Sequence, residues 1–85
     1  MLLTYKTNGV CSRSISIEID ETDDTIKNVE FFGGCNGNTK GIAKLCVGMK
    51  VSDVVCRLQG ITCGFKNTSC PDQLSCALTE YLNNK

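Results

Sequence analysis

The sequence contains no histidine and no tryptophan, and it carries no excess of charge of either sign. Without histidine the chain lacks the commonest general base and cannot form a Cys–His catalytic pair, so conventional nucleophilic catalysis is disfavoured. Nine basic and nine acidic residues give a formal net charge of zero. Such a balance does not attract phosphate backbones or anionic lipids, and we therefore expect no nucleic-acid partner and no membrane partner.

Long apolar runs are also missing from the chain. No stretch approaches the roughly 20 residues that a membrane-spanning helix needs, and residues 1–6 lack the basic segment and apolar stretch of an export signal. These absences predict a cytoplasmic protein. A chain of 85 residues suits one domain, predicted as residues 1–85, whose modest core leaves room for a metal or a partner to contribute to folding.

Cysteine, by contrast, is abundant, with seven residues of 85. An odd number of cysteines in a chain without an export signal argues against the disulfide framework of a secreted protein. In a reducing compartment three interpretations stay open, namely metal ligation, redox chemistry and buried thiols.

Alternating apolar residues predict a small antiparallel sheet. Residues 14–19 read Ser-Ile-Ser-Ile-Glu-Ile, and this alternation places the three isoleucines on one face of a half-buried strand. The stretch of residues 20–25, with four acidic residues and two threonines, is typical of a turn, and residues 26–32 return as a second strand. Residues 3–6 can add a third strand beside them.

Three helices are predicted after the sheet. The first begins behind a cap at Asn38 or Thr39, and Ser52 can cap the second. In the third, Ser69 and Asp72 resemble a capping box, and an apolar stripe follows at Leu74, Ala77, Leu78, Tyr81 and Leu82. The order predicts the α+β class, with a small antiparallel three-stranded sheet followed by about three helices.

Helical spacing separates three cysteines from the other four. Cys46 lies on the apolar face of its helix and is predicted to be a core residue, whereas Cys56 and Cys76 fall away from their helices' apolar stripes, toward the outer surface. The other four occupy ends of predicted elements, where functional groups tend to be placed; they are Cys11, Cys35, Cys63 and Cys70.

The hairpin register is predicted to bring two of these cysteines together. Antiparallel partners have a constant sum of residue numbers, so a turn that pairs Asp20 with Ile26 predicts Cys11 opposite Cys35. A slip by two residues keeps the same side chains on each face, and that neighbouring register stays open.

Four cysteine thiolates are the ligands of a closed, tetrahedral zinc site. We therefore predict a metal site formed by Cys11, Cys35, Cys63 and Cys70. The backbone N–H groups and dipole at the start of the last helix should favour the thiolate form of Cys70. The sequence has no compact zinc-knuckle spacing, so four unrelated thiols stay an alternative.

The segment Thr68-Ser69-Cys70-Pro71-Asp72 resembles the signature after which the TSCPD family is named. Three further segments look like that family's other motifs: Val10-Cys11-Ser12-Arg13, Gly33-Gly34-Cys35-Asn36-Gly37-Asn38 and Gly60-Ile61-Thr62-Cys63-Gly64. In that family the segment occurs as a short stand-alone protein and as a C-terminal domain of adenosylcobalamin-dependent ribonucleotide reductases. The resemblance implies a link to ribonucleoside-diphosphate reductases. Their large catalytic barrel cannot fit in 85 residues, so the chain is not expected to be catalytic alone.

A more distant resemblance is to IscU/NifU-type iron–sulfur scaffolds. These also run from a cysteine before a strand, through a hairpin and a Gly-Cys-Gly turn, to a cysteine that opens a late helix. Their three ligand positions match Cys11, Cys35 and Cys70. The chain departs from them at Arg13, where they carry aspartate, and at Ser69, where they carry histidine. The resemblance implies an IscU/NifU-like fold, in which Cys63 would replace the histidine as fourth ligand.

Together these observations predict a small metal-binding module that holds zinc, or alternatively an iron–sulfur cluster, through the four cysteines at element ends. One alternative is a thiol-redox accessory that re-reduces a ribonucleotide reductase, with Cys70 as nucleophile and Cys63 as resolving thiol. Another is a structural or interaction domain with incidental thiols. The expected partner is a ribonucleotide reductase or another protein.

Overall fold

The computed structural model describes residues 1–7, 12–33, 36–62 and 68–84, with the backbone alone at residues 36–38. Within these residues three strands precede three helices. Their bounds are Leu2–Lys6 for β1, Ser12–Asp20 for β2, Thr25–Gly33 for β3, Asn36–Cys46 for α1, Val51–Leu58 for α2 and Cys70–Asn83 for α3. The predicted α+β class and element order are confirmed. None of the helices in these ranges has the length and apolar character needed to cross a membrane.

The three strands form one antiparallel sheet in the order β1-β2-β3. Its middle has the predicted hairpin register, with Ile15 opposite Phe31 and Ile17 opposite Val29. The alternation of isoleucines fixes this register, because a slip by one residue would turn all of them toward solvent.

The register shifts by one residue near each end of the hairpin. At the turn, Asp20 pairs with Thr25, so the predicted pairing of Asp20 with Ile26 is wrong. At the other end Ser12 pairs with Gly33 instead of continuing the central register. A bulge adds one residue to one strand, so a constant sum of residue numbers no longer predicts Cys11 opposite Cys35.

The hydrophobic core lies between one face of the sheet and the helices. The isoleucines of β2 are at most 1% exposed, and Leu74 and Leu78 of α3 are fully buried. Helix α1 packs against β3, and α2 packs against α3. Each fully buried aliphatic side chain contributes about 1.5–3 kcal/mol, so this cluster is the main source of stability among the described residues.

The helix starts follow the prediction only in part, since α1 begins at Asn36 and the predicted cap at Asn38 or Thr39 is wrong. Ser69 is the N-cap of α3, and its side chain accepts a hydrogen bond from the Asp72 backbone N–H, as predicted. The predicted cap at Ser52 is wrong, because α2 begins at Val51 behind an extended Lys50 that provides no side-chain cap. Helix α2 is instead anchored by tertiary contact, since the Val51 N–H donates to the Asp24 carbonyl at 2.9 Å.

Candidate functional site

Cys70 is the first residue of α3, and its side chain is buried, with 9% of the residue exposed. Pro71 follows it in the first turn, where backbone N–H groups have no intrahelical partner, so proline's lack of an N–H costs no hydrogen bond. Three residues of the same helix lie in the core: Leu74, Ala77 and Leu78. Core packing therefore fixes the helix that carries the thiol.

The start of β2 lies against this thiol. The distance between Ser12 Oγ and Cys70 Sγ is 3.3 Å, and both side chains are buried. Ser12 also pairs with Gly33 at the end of β3, and its carbonyl accepts a hydrogen bond from Thr7 Oγ1. Two strand ends and one helix start consequently meet at Cys70.

The segment after α2 is fastened to the same helix start. The Asp72 carboxylate accepts a hydrogen bond from the Gly60 N–H at 2.7 Å, and the Ser69 hydroxyl donates to the Ile61 carbonyl at 2.7 Å. Gly60 has a φ of 83°, a conformation that glycine adopts without strain. The chain is therefore held against α3 immediately before residue 63.

The chain is fastened again where it enters α3. Thr68 Oγ1 donates to the second oxygen of the Asp72 carboxylate, and Gln73 Nε2 donates to Thr68 Oγ1 at 3.0 Å. One carboxylate thus ties both ends of the segment that carries Cys63. In the predicted capping box the Asp72 side chain would bond back to the Ser69 N–H, but the structure uses it for this connection between loops instead.

The model of the TSCPD domain matches residues 3–82. The chain belongs to the TSCPD domain family. That family is associated with ribonucleotide reductases. No curated protein and no solved structure matches the chain, and the likeness to IscU/NifU-type scaffolds is not confirmed.

The signature of this TSCPD domain is residues 68–72. Its first two residues precede α3, and its last three form the first turn of that helix. Thr68 and Asp72 bond to each other, Ser69 caps the helix and Pro71 suits its first turn. The other four residues of the signature therefore hold Cys70 in position. We name the surrounding cluster the α3 corner, defined as Ser12, Gly33, residues 60–62 and residues 68–72.

The structure describes one of the four predicted metal ligands. Cys70 lies in the α3 corner, whereas Cys11, Cys35 and Cys63 lie outside the described residues. Within the described ranges no group of three or more cysteine, aspartate or glutamate side chains is arranged to hold a metal ion. The four-cysteine site stays a prediction. Ser12 is not among the predicted site residues, although its place beside Cys11 is a signal from which it could be identified.

The other three described cysteines differ in their burial. Cys46 is 3% exposed and its burial raises the pKa of the thiol, which confirms it as a core residue. Cys56 is exposed, as predicted. Cys76 is half-buried rather than fully at the surface, and burial, followed by the Asp72 and Glu80 carboxylates, raises the pKa of its thiol.

Proposed function

We propose that this TSCPD domain is a small metal-binding module in which one ion, zinc by preference, is held by Cys11, Cys35, Cys63 and Cys70. Zinc favours four thiolates in a closed tetrahedral site, with Zn–S distances of about 2.3 Å. The observation that carries the proposal is that described chain neighbours of the three other cysteines meet beside Cys70 in the α3 corner.

Chain connectivity limits how far two of these cysteines can be from Cys70. Consecutive Cα atoms are about 3.8 Å apart, so Cys11 is one short step from Ser12, whose hydroxyl contacts the Cys70 sulfur. Cys35 is two residues beyond Gly33, which pairs with Ser12, and two residues span at most about 7 Å. Chain connectivity therefore allows both thiols to reach a metal ion bound to Cys70, which supports the proposal.

Chain connectivity limits the distance between Cys63 and Cys70 in the same way. It is two residues beyond Ile61, whose carbonyl accepts the hydrogen bond of the Ser69 hydroxyl. The Asp72 carboxylate holds Gly60 and Thr68, one on each side of Cys63 in the chain. A loop with both ends fastened loses less conformational freedom when one of its side chains binds a metal.

The electrostatics of the helix start also favour such a site. Four thiolates around a divalent cation leave a net negative charge, and the first turn of α3 offers the positive end of a helix dipole. The burial of Cys70 reduces competition from water for the bound ion. An iron–sulfur cluster uses the same thiolates and is the alternative occupant.

The burial of Cys70 argues against the thiol-redox alternative. A nucleophilic thiol must be accessible to its disulfide substrate, yet Cys70 is only 9% exposed and contacts the Ser12 hydroxyl. Because the family is associated with ribonucleotide reductases, we propose that the module serves a reductase-type protein as an accessory domain. Nucleotide reduction itself would belong to that partner.

The test is elemental analysis of protein purified anaerobically and without chelator. We expect about one zinc per chain and no visible chromophore, whereas an iron–sulfur cluster would absorb in the visible range. Cys56→Ala, which removes an exposed thiol, is the matched control and should keep the metal. A metal content near zero, also after growth in metal-supplemented medium, would contradict the proposal. A reversible dithiol–disulfide cycle in that metal-free protein would favour the redox alternative.

A further inference from the structure

We infer that Ser12 is a positioning residue for the proposed metal site, and that its hydroxyl donates a hydrogen bond to the metal-bound sulfur of Cys70. This inference rests on the proposed function. The Oγ–Sγ distance is 3.3 Å, with Ser12 3% and Cys70 9% exposed. A metal-bound cysteine sulfur carries no proton, so it can only accept, and the serine must be the donor.

The β-bulge at the start of β2 is what turns Ser12 toward Cys70. Regular alternation would place Ser12 on the outer face with Ser14 and Ser16, and would bury Arg13 beside Ile15. The observed burial is the reverse, because Ser12 is buried and Arg13 is exposed. The register shift lies between Ser12 and Ser14, so the extra residue reverses the two side chains.

The backbone around Ser12 is held firmly enough to aim its hydroxyl. Ser12 pairs with Gly33, and its carbonyl accepts the hydrogen bond of the buried Thr7 side chain. The Thr7 N–H donates to the carbonyl of Arg13, the residue at the bulge itself, at 3.2 Å. The hydroxyl is thus presented by a bonded strand end rather than by a free loop.

A hydrogen bond to a metal-bound thiolate has two measurable effects. It fixes the orientation of the sulfur, and loss of such outer partners typically weakens metal binding by about 10–100-fold. It also withdraws electron density from the sulfur, so its removal should shift the sulfur-to-metal charge-transfer absorption of a cobalt(II) derivative to lower energy. A purely structural role in the strand would not move that band.

The experiment compares the full wild-type chain with Ser12→Ala, Ser12→Thr and Ser14→Ala, each titrated with cobalt(II) against a competing chelator. We expect Ser12→Ala to bind about 10–100-fold more weakly and to show the lower-energy band. Ser12→Thr keeps the hydroxyl and should restore both properties. Ser14→Ala changes the next serine of the same strand, on the half-buried outer side, and should match the wild type.

Three outcomes would overturn the inference. Wild-type affinity and spectrum in Ser12→Ala would show that the hydroxyl does not act on the site. Weaker binding with an unshifted band, or without recovery in Ser12→Thr, would assign Ser12 a structural role only. A wild-type chain that binds no cobalt would overturn the proposed function together with this inference, whereas the first two outcomes would leave the proposed function standing.

Discussion

Removal of the Asp72 carboxylate tests whether the α3 corner is held together as the structure indicates. Its two oxygens accept hydrogen bonds from the Gly60 N–H and from Thr68 Oγ1. These two residues flank the segment that carries Cys63. In Asp72→Ala both ends of that segment lose their common anchor, so both stability and metal binding should suffer.

The expected loss of stability in Asp72→Ala follows from the solvent exposure of the two hydrogen bonds. A hydrogen bond to a charged group contributes about 1.5–3 kcal/mol when buried, and less where water competes. The bond from Gly60 is exposed and the bond from Thr68 is partly buried, so we assign about 0.5 kcal/mol to the first and about 1.5 kcal/mol to the second. The two bonds together should contribute about 2 kcal/mol.

Asp53 provides a matched control for this change. It is the third residue of α2 after the cap Lys50, as Asp72 is the third residue of α3 after the cap Ser69. Both carboxylates gain from the helix dipole and both variants gain alanine's helix propensity, so these contributions cancel in the difference. Asp53 is exposed, and its carboxylate has no hydrogen bond or ion pair among the described residues.

The assay is urea unfolding of metal-free, reduced protein, followed by metal titration of the same samples. We expect Asp72→Ala to be about 2 kcal/mol less stable than Asp53→Ala, and Asp72→Asn, which keeps one carbonyl oxygen, to lie between them. Asp72→Ala should also bind metal more weakly, and Asp53→Ala should not. Equal stabilities within about 0.5 kcal/mol would refute the assignment of these hydrogen bonds.

Two further predictions concern single side chains. Cys70→Ala should abolish the stabilisation by added metal, because structural zinc in small peptides contributes on the order of 10–16 kcal/mol of binding free energy, whereas Cys76→Ala should retain metal and melt close to the wild type. A hydrogen bond to the Asp24 carboxylate, followed by burial, raises the pKa of Tyr81 from 10.0 to about 12. The unfolded chain therefore ionises first, so wild-type stability should fall between about pH 10 and about pH 12. Tyr81→Phe should lack that part of the fall, and an identical alkaline profile would argue against the bond.

The central register of the hairpin could be predicted because it depends on a strong, local pattern. The isoleucines of β2 must all face the core, and their partners across the hairpin include Val29 and Phe31. The register shifts at the two ends leave no comparable mark in the sequence. Since a bulge reverses the faces beyond it, the burial of Ser12 and the exposure of Arg13 could not be obtained from alternation.

Two further differences between the prediction and the structure concern Asp72 and Cys76. The capping residues of α3 were recognisable, but the use of Asp72 to bind Gly60 and Thr68 depends on where the preceding loop returns to the helix. Helical spacing likewise predicted Cys76 at the outer surface. The residue is instead half-buried, and burial of Tyr5 on β1, followed by the charge of the Cys76 thiolate, raises the pKa of that tyrosine.

Two parts of the α3 corner are held in place by different interactions, and this difference determines what a bound metal would stabilise. Cys70 belongs to a helix anchored by Leu74 and Leu78, which are fully buried, so its position depends on the hydrophobic core and not on a ligand. Residues 60–62 depend on hydrogen bonds to Ser69 and Asp72, which water can replace more easily. A metal bound to both Cys70 and Cys63 would therefore hold residues 60–62, which are bound more weakly, against a helix that is already rigid. Such preorganisation lowers the entropic cost of metal binding. The start of α3 should therefore be the part of the site that changes least when the ion is lost.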